Sequence, residues 1–448
     1  MTTDRAASPS GAPAAAPATP ADFGAALRAA AGIAALSPSS HNCQPWTVAW
    51  ARSPESRAAA ARLVGAGPGG RERSGEAGGR GPAGEADRRE RAGGPGEEAD
   101  DGDGTYRWLV LGLDRDRSLR ALPAHAVEML LSCGLYWQLL LRALDAQGWI
   151  VDTLHFAEGP AEGPVEGEPE EEPVRGAEPP GAAWPRSWTA LSVARLRGAP
   201  VGAEHAEELR TLRATARARL TNRAPYHPRP VQPALLDGLL APSGAAAARG
   251  ADVTVRHLTS GADRAAFADF VARHGGRDFR HRAAWRETHA YLRITEAAAA
   301  ARGDGFALDR LFGPLSWPRR QLMRAALAPA TMRVLSHVGY HRLLAHRLAH
   351  LVRPTPVVVA MSFARTAPTV ADVVKGGARL ADYWLCATGA GLALHPVSVV
   401  LQHDDLRTAL QSRLGIPGRA FFMSRLGWPA TEFPASPRRP ADTSLRTI

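Results

Sequence analysis

The segment from Ser37 to Trp46, SPSSHNCQPW, concentrates polar side chains that could hold a flat heterocycle. Fixed by two prolines, it presents hydroxyls, two amides and an imidazole, and its candidate binding residues are Ser39, Ser40, His41, Asn42, Gln44, Pro45 and Trp46. The pyrimidine edge of a flavin offers two carbonyl acceptors and one N–H donor, which Asn and Gln side chains can match. The alternative is an ordinary capped turn, in which Ser and Asn bond only to the local backbone.

Arginines recur four residues apart at the end of a predicted helix, in the segment RARLTNRAPY from Arg217 to Tyr226. The candidate ligands of an anion are Arg219, Thr221 and Arg223. Guanidinium groups at this spacing can reach one anion together, and their forked donors suit phosphate oxygens. A solvated helix face is the alternative.

Two segments of the second half carry further candidates. In GAGLALHPVS, residues 389–398, glycine permits a close backbone approach and proline stiffens the turn, although a glycine there is also a common helix C-cap. The segment SPRRP, residues 436–440, contains a basic pair, for which an exposed basic tail is the alternative. The candidate residues in these two segments are Gly391, His395, Pro396, Arg438 and Arg439.

Histidines at helical spacing form the remaining candidate cluster, and they are His337, His341, His346 and His350. They have no carboxylate nearby and match no catalytic zinc signature, so we predict no metal and a basic helix over the site. The sequence contains neither a Walker loop nor a GxGxxG segment after a strand, so ATP and a Rossmann-bound dinucleotide are not indicated.

Alternating strands and helices must position these residues. A long apolar helix is predicted from His125 to Gln147 and another from Ala371 to Ala390, with an amphipathic helix from Glu204 to Leu220. Further helices are predicted at 262–273 and 278–300. The predicted strands are 46–50, 106–114, 149–156, 188–196, 252–259, 355–364, 392–400 and 420–428.

The two long apolar helices suggest an internal repeat. Gly134 to Gly148 and Gly377 to Gly391 are offset by the same number of residues, since 377 − 134 = 243 and 391 − 148 = 243. Each helix follows a strand and ends at glycine before another strand. Each half of the chain is therefore predicted to contain a similar α+β unit with a buried central helix.

Low-complexity segments divide the 448 residues. We predict a disordered leader at 1–21, a first lobe at 22–200 and a second lobe at 201–448. Two stretches, about 59–104 and 157–180, contain almost no large apolar side chains and are predicted to be surface insertions in the first lobe.

The overall composition limits the partners and the compartment. The net charge is +10, and Lys375 is the only lysine, but the arginines are interspersed with Asp and Glu, so we expect no nucleic-acid partner. No run of 18 uninterrupted apolar residues occurs, so no membrane span is expected. Three widely separated cysteines argue against a disulfide framework and favour a reducing, cytoplasmic location.

The loop at 37–46 resembles the SSHNxQPW segment of the nitroreductase superfamily, most closely its Acg-type members, in which one chain fuses two nitroreductase units. The segments at 217–226, 389–398 and 436–440 are similar to the family's FMN-binding arginine segment, its GLxxxP turn beside the flavin ring and its basic C-terminal pair. The resemblance implies an α+β fold of two fused nitroreductase-like lobes, each an antiparallel-rich sheet with a buried central helix. It also implies bound FMN, with NAD(P)H as co-substrate.

The motifs occur in complementary halves, so the resemblance implies one complete flavin site per chain. The loop lies only in the first half, whereas the arginine segment and the GLALHP turn lie only in the second. Homodimeric nitroreductases build each site from two subunits. We therefore expect an internal pseudo-dimer, either as a monomer or as part of a further homodimer.

Two functions remain open from the sequence. The first is an FMN-dependent oxidoreductase that transfers hydride from NAD(P)H to a small-molecule acceptor such as a nitroaromatic or a quinone. The second is a protein that binds or sequesters FMN without catalysis, in which the segment 306–349 is a candidate lid over the site.

Overall fold

A computed structural model describes residues 19–65, 105–161, 184–241, 252–432 and 434–448. The chain folds as an α+β protein with two main antiparallel-rich sheets. The strands are β1 (Trp46–Ala51), β2 (Tyr106–Asp114), β3 (Trp149–Phe156), β4 (Trp188–Gly198), β5 (Val253–Leu258), β6 (Leu292–Arg293), β7 (Phe306–Ala307), β8 (Val357–Phe363), β9 (Ala393–Pro396), β10 (Arg419–Gly427) and β11 (Leu445–Thr447).

The helices surround and separate these sheets. They are α1 (Phe23–Ala34), α2 (Pro54–Gly65), α3 (Pro123–Asp145), α4 (Ala203–Ala218), α5 (Pro233–Leu240), α6 (Gly261–His274), α7 (Gly276–Arg280), α8 (Arg282–Ala290), α9 (Glu296–Arg302), α10 (Asp309–Phe312), α11 (Trp317–Leu327), α12 (Pro329–His337), α13 (Tyr340–Val352), α14 (Val370–Gly389) and α15 (Asp404–Leu414).

The two main sheets repeat one topology. The first has the order β11-β1-β2-β4-β3 and the second β5-β8-β10-β9. When β1, β2, β3 and β4 are matched to β5, β8, β9 and β10, both sheets have the same strand order, and all of these pairings are antiparallel. The predicted fold class is therefore confirmed. Strand β11, which the sequence did not indicate, pairs in parallel with β1 at the edge of the first sheet.

Strand β8 shows how the sequence supports the second sheet. All seven of its residues are buried. Val357, Val359 and Met361 face the central core, whereas the alternating residues Val358 and Ala360 face a second core formed mainly by α6, α13 and α15. A strand buried on both faces reads as a continuous apolar run, as this β-branched sequence does.

The central helices α3 and α14 pack against each other at two glycines. A Cβ at Gly134 would lie 2.1 Å from the carbonyl oxygen of Val374, and a Cβ at Gly377 would lie 2.3 Å from that of Leu131. Leu131 and Val374 are also 243 residues apart, since 374 − 131 = 243. The contact is thus reciprocal, as at a twofold interface between two subunits.

The second lobe differs from the first by a helical insertion between β5 and β8. Helices α6–α13 and the short parallel pair β6–β7 fill it. The predicted helical region 278–300 is interrupted, because His281 separates α7 from α8 and strand β6 precedes α9. The candidate lid, 306–349, corresponds to β7 and helices α10–α13.

Residues at the start of both predicted insertions pack against the rest of the protein. Helix α2 runs past residue 59 to Gly65, and Ala60 is fully buried. Ala161 is buried and its N–H donates to the Pro368 carbonyl. The remainder of the two proposed insertions, and residues 1–18 of the proposed leader, lie outside the described residues.

Among the described residues, helix α3 alone has the length and apolar composition of a membrane span, and 89% of its most apolar window is buried inside the protein. Most of its side chains belong to the core between the lobes.

Candidate functional site

The loop before β1 adopts an unusual backbone. His41, Asn42 and Gln44 have φ angles of 51°, 53° and 53°, in the left-handed region that residues other than glycine seldom occupy. The Ser39 hydroxyl stabilises this shape by accepting the Gln44 N–H at 3.0 Å. Such conformations persist only where surrounding contacts enforce them, and they cluster at functional sites.

The amides of Asn42 and Gln44 hold other parts of the chain against this loop. The Asn42 amide donates to the carbonyls of Gly305 and Pro437, both at 2.9 Å. The Gln44 amide donates to the Gly303 carbonyl at 2.8 Å and accepts the backbone N–H of Arg439 at 3.0 Å. These hydrogen bonds engage both amides with the backbone, and their contact with the edge of a flavin stays a prediction.

Two buried arginines converge on one backbone carbonyl beside the loop. Arg219 and Arg438 donate to the Leu36 oxygen at 3.0 and 3.3 Å. Neither is paired with a carboxylate within the described ranges, and Nε and Nη1 of Arg219 and Nε of Arg438 are buried without any partner. Burial lowers the pKa of Arg219 well below its usual value, and the charge of Arg438 adds to that effect. Such a buried, unpaired charge is costly unless an anion joins it.

Two more guanidinium groups extend this positive region. Burial, with the nearby charge of Arg310, lowers the pKa of Arg223 and that of Arg438 to about 10. Arg310 is paired with Glu296, whereas the Arg223 guanidinium lies 5.3 Å from the Phe306 ring centre and has no carboxylate partner in the described part of the chain. Arg219, Arg223 and Arg438 therefore lie close together, and Arg310 joins them.

A hydrogen-bonded chain links the two lobes through His41. The Ser40 hydroxyl donates to Glu128 at 2.5 Å, and Glu128 also accepts from Gln402 at 2.6 Å. Because Ser40 has given its hydrogen to the carboxylate, it accepts from His41 Nδ1 at 2.9 Å, which leaves Nε2 to accept from the Thr288 hydroxyl at 3.1 Å. The hydrogen bonds thus fix the neutral tautomer of His41.

The pKa of His41 is lowered to about 4, first by burial and then by the charges of His125 and Arg223, against an opposing effect of Glu128. The unfolded chain binds a proton at this histidine below pH 6.5, whereas the folded protein does so only below about 4. Stability should therefore rise with pH between about 4 and 6.5. In His41→Gln this contribution to the rise of the unfolding free energy with pH should disappear. Urea unfolding at several pH values measures it.

The exposed His227→Gln serves as the matched control for His41→Gln. An unchanged slope in His41→Gln would show that its imidazole titrates similarly in the folded and unfolded chains.

A cleft of about 220 Å³ lies between the lobes beside the loop. Apolar side chains of α3, α14 and β10 form part of its walls. Six predicted residues line it, and they are Ser39, Ser40, His41, Thr221, Arg223 and Pro396. The two halves of the chain thus both contribute to it.

The remaining predicted residues are not among those that line the cleft. Gly391, two residues before β9, has a φ of 77°, as its turn requires. His395 is buried and accepts from Arg425 at 3.1 Å. Pro45 accepts the Asp114 N–H through its carbonyl, and Trp46 stacks on Tyr136 in the core of the first lobe, so neither lines the cleft. Arg439 donates to the Gln44 carbonyl at 2.9 Å.

Sequence reasoning missed several residues of the site. Glu128 is the only acidic residue of α3 before its last position, Asp145, and a lone carboxylate in an apolar helix was a usable signal. Trp384 lines the cleft and lies beneath Arg219, whose guanidinium is 5.0 Å from the ring centre. No local pattern marked Arg310 or the turn at 303–305.

The histidine cluster does not form a ligand set. His346 and His350 line a second cavity, described below, and His341 is buried in α13. In the ranges that the structure covers, no three His, Cys, Asp or Glu side chains come together as metal ligands.

Comparison with known proteins supports the sequence resemblance. No protein-family profile matches the chain. The curated protein named Probable NAD(P)H nitroreductase PigM, from Serratia sp. (strain ATCC 39006), is 27% identical over 428 residues, which cover 95% of this chain and 94% of that protein.

Solved structures of nitroreductases match about half of the chain. The FMN-dependent nitroreductase NfnB from Mycobacterium smegmatis, in complex with NADPH, is 14% identical and covers 49% of this chain and 88% of its own, with a TM-score of 0.30. A nitroreductase with bound FMN from Bacteroides fragilis is 15% identical and covers 48% and 87%, with a TM-score of 0.27. The relative that matches along the whole chain, the four motif segments and the repeated α+β architecture all support a nitroreductase-superfamily member.

Proposed function

We propose that the chain is an FMN-dependent oxidoreductase that uses NAD(P)H and one flavin site between its lobes. The relative that matches the chain along its length is named an NAD(P)H nitroreductase, which supports this class of activity. When bound, FMN supplies hydride transfer between the nicotinamide and an acceptor. The acceptor is a small molecule, and the proposed location is the cytoplasm.

The single observation that carries this proposal is the pair of unpaired arginines at Leu36. Arg219 has two buried N–H-bearing nitrogens without a partner, and Arg438 has one. A phosphate group would supply acceptors to these donors and offset two buried positive charges. The residues therefore fit the phosphate of FMN, with Arg223 and Arg310 adding to the positive field.

The cleft beside these arginines suits a flat ring system. Leu131 and Leu135 of α3 face Leu380 and Trp384 of α14 across it, so it offers apolar surface from both lobes. The hydroxyls of Ser39 and Ser40 line the same space and could bond to polar ring atoms. Asn42 and Gln44 act indirectly, because their hydrogen bonds fix the loop that carries these serines.

A non-catalytic role in binding or sequestering FMN is the second candidate. It is supported by the segment 306–349, whose helices α10–α13 cover the region next to the cleft and contribute Leu311, Leu327 and Leu344 to an adjoining cavity. A lid of this kind would keep NAD(P)H from the ring. The two candidates agree on the cofactor and differ in whether NAD(P)H reaches it.

The purified full-length chain should release one FMN per chain on denaturation, and NADPH should bleach its flavin absorbance. Chromatography of the released flavin and anaerobic absorbance spectra measure these two quantities. Two FMN per chain would contradict the single site, and failure to bind added FMN would contradict the cofactor. Bleaching by dithionite but not by NADPH would favour sequestration.

A further inference from the structure

A second and larger cavity adjoins the cleft. It has a volume of about 630 Å³, within the range of small-molecule binding sites. The helical insertion of the second lobe forms most of it, and the first lobe has no counterpart of this insertion among its described residues. Its walls are mainly large apolar side chains, including Phe279, Trp285, Leu292, Phe312 and Leu348.

The two cavities meet at Arg223 and Phe306, which line both. The Arg223 guanidinium packs on the Phe306 ring and has no carboxylate partner within the described residues. A molecule in the larger cavity would therefore lie next to whatever occupies the cleft, with Arg223 between them.

His395 adds a hydrogen-bond donor to the same end of the larger cavity. The guanidinium group of Arg425 has donors and no acceptor, so His395 Nδ1 accepts its hydrogen bond at 3.1 Å. The ring hydrogen of His395 is therefore on Nε2. Burial, then the charges of Arg425 and Arg223, lower the pKa of His395 well below its usual value. The imidazole is consequently a neutral N–H donor beside a fixed positive charge.

The electrostatic character of the larger cavity is positive. Arg347, His346 and His350 of α13 also line it, and none of its lining residues is acidic. The sequence contains no Asp or Glu from Arg310 to Ala371. A cavity with apolar walls and one sign of charge concentrates ligands of the opposite charge.

We propose that the larger cavity binds the electron acceptor, and that this acceptor is an aromatic molecule bearing a negatively charged group that Arg223 and His395 receive. This inference rests on the proposed function, because the adjacent cleft is where FMN would bind. Apolar walls bind the rings, and the basic end orients the anion toward the cleft. Cationic aromatic compounds are excluded by the same charge.

Two dyes test the site without any turnover. 1-Anilinonaphthalene-8-sulfonate and N-phenyl-1-naphthylamine share one aromatic skeleton, and only the first carries a sulfonate. Fluorescence titration of the full chain, with and without FMN, should show one saturable sulfonate site that binds at least about tenfold more tightly than the neutral dye. Equal affinities for the two dyes would overturn the proposal.

Variants assign the dye to this cavity rather than to exposed apolar surface. Leu348→Trp should fill it and abolish saturable binding of both dyes, whereas Leu343→Trp, at an exposed position of the same helix, should not. Arg347→Gln, which removes the charge and keeps a polar side chain, should reduce the preference for the sulfonate dye. Unchanged dye binding in both Leu348→Trp and Arg347→Gln would place the dyes elsewhere and overturn the proposal.

The outcome is separable from that of the proposed function. If the chain binds the sulfonate dye selectively but takes up no FMN, the proposed anion site is supported and the proposed flavin site is contradicted. If the chain binds FMN and NADPH bleaches it, but the sulfonate dye is not preferred, the oxidoreductase activity is supported and the anionic aromatic acceptor is contradicted.

Discussion

Replacing Arg219 with methionine will lower the affinity for FMN by about ten- to a hundredfold and raise the thermal stability of the FMN-free protein. The affinity falls because a charge-assisted contact of about 1.5–3 kcal/mol is removed. The stability rises because a buried guanidinium with two unpartnered nitrogens is replaced by an apolar side chain of similar length. Fluorescence titration with FMN and thermal unfolding measure the two effects.

Arg217→Met is the matched control, since Arg217 lies in the same segment but is exposed. It should change neither quantity. Arg438→Met should also lower the affinity for FMN, because both side chains donate to the Leu36 carbonyl. A loss of stability without a loss of FMN affinity would mean that Arg219 supports the fold and not a phosphate.

Replacing Gly134 or Gly377 with alanine will reduce the free energy of unfolding by about 3 kcal/mol. Each new methyl group would lie 2.1–2.3 Å from a backbone carbonyl oxygen of the opposite helix, which cannot rotate away as a side chain could. Helices α3 and α14 must then separate, and the cleft that they line must widen. Urea unfolding and FMN titration detect these two consequences.

Gly389→Ala in the same helix α14 is the control, because nothing lies within 4 Å of its added methyl group. Helix propensity predicts that this change is neutral or stabilising. The double variant of Gly134 and Gly377 should lose less stability than the sum of the single losses, since one separation of the helices relieves both clashes. Strict additivity would contradict a shared contact.

Local sequence patterns predicted the elements of this fold closely. The predicted bounds of β2 and β3 agree with the structure, because alternating and β-branched residues end at clear turn signals. Of the two glycine pairs at an offset of 243, Gly134 and Gly377 lie at the contact between α3 and α14. Strand β11 was missed because three residues, Leu445–Thr447, carry no periodicity and form a strand only by pairing with β1.

The sequence marked several residues that the structure brings together, but it did not indicate their hydrogen bonds. Arg219, Arg223 and Arg438 could be grouped because motif segments marked all three. The partners of Asn42 and Gln44 could not be foreseen, since an amide bonds as well to the backbone carbonyls of Gly303 and Gly305 as to a heterocycle. Contacts between residues hundreds of positions apart leave no local signal.

The position of β11 has a consequence for synthesis of the chain. Strand β1 leaves the ribosome about 390 residues before the strand that covers its edge, since 445 − 51 = 394. At a synthesis rate of roughly 5–20 residues per second, this edge of β1 stays unpaired for about 20–80 s. An exposed strand edge is a template for pairing with other chains. Strand β1 is therefore an open pairing edge in nascent chains on one messenger, and a chaperone that shields it should raise the yield of folded protein.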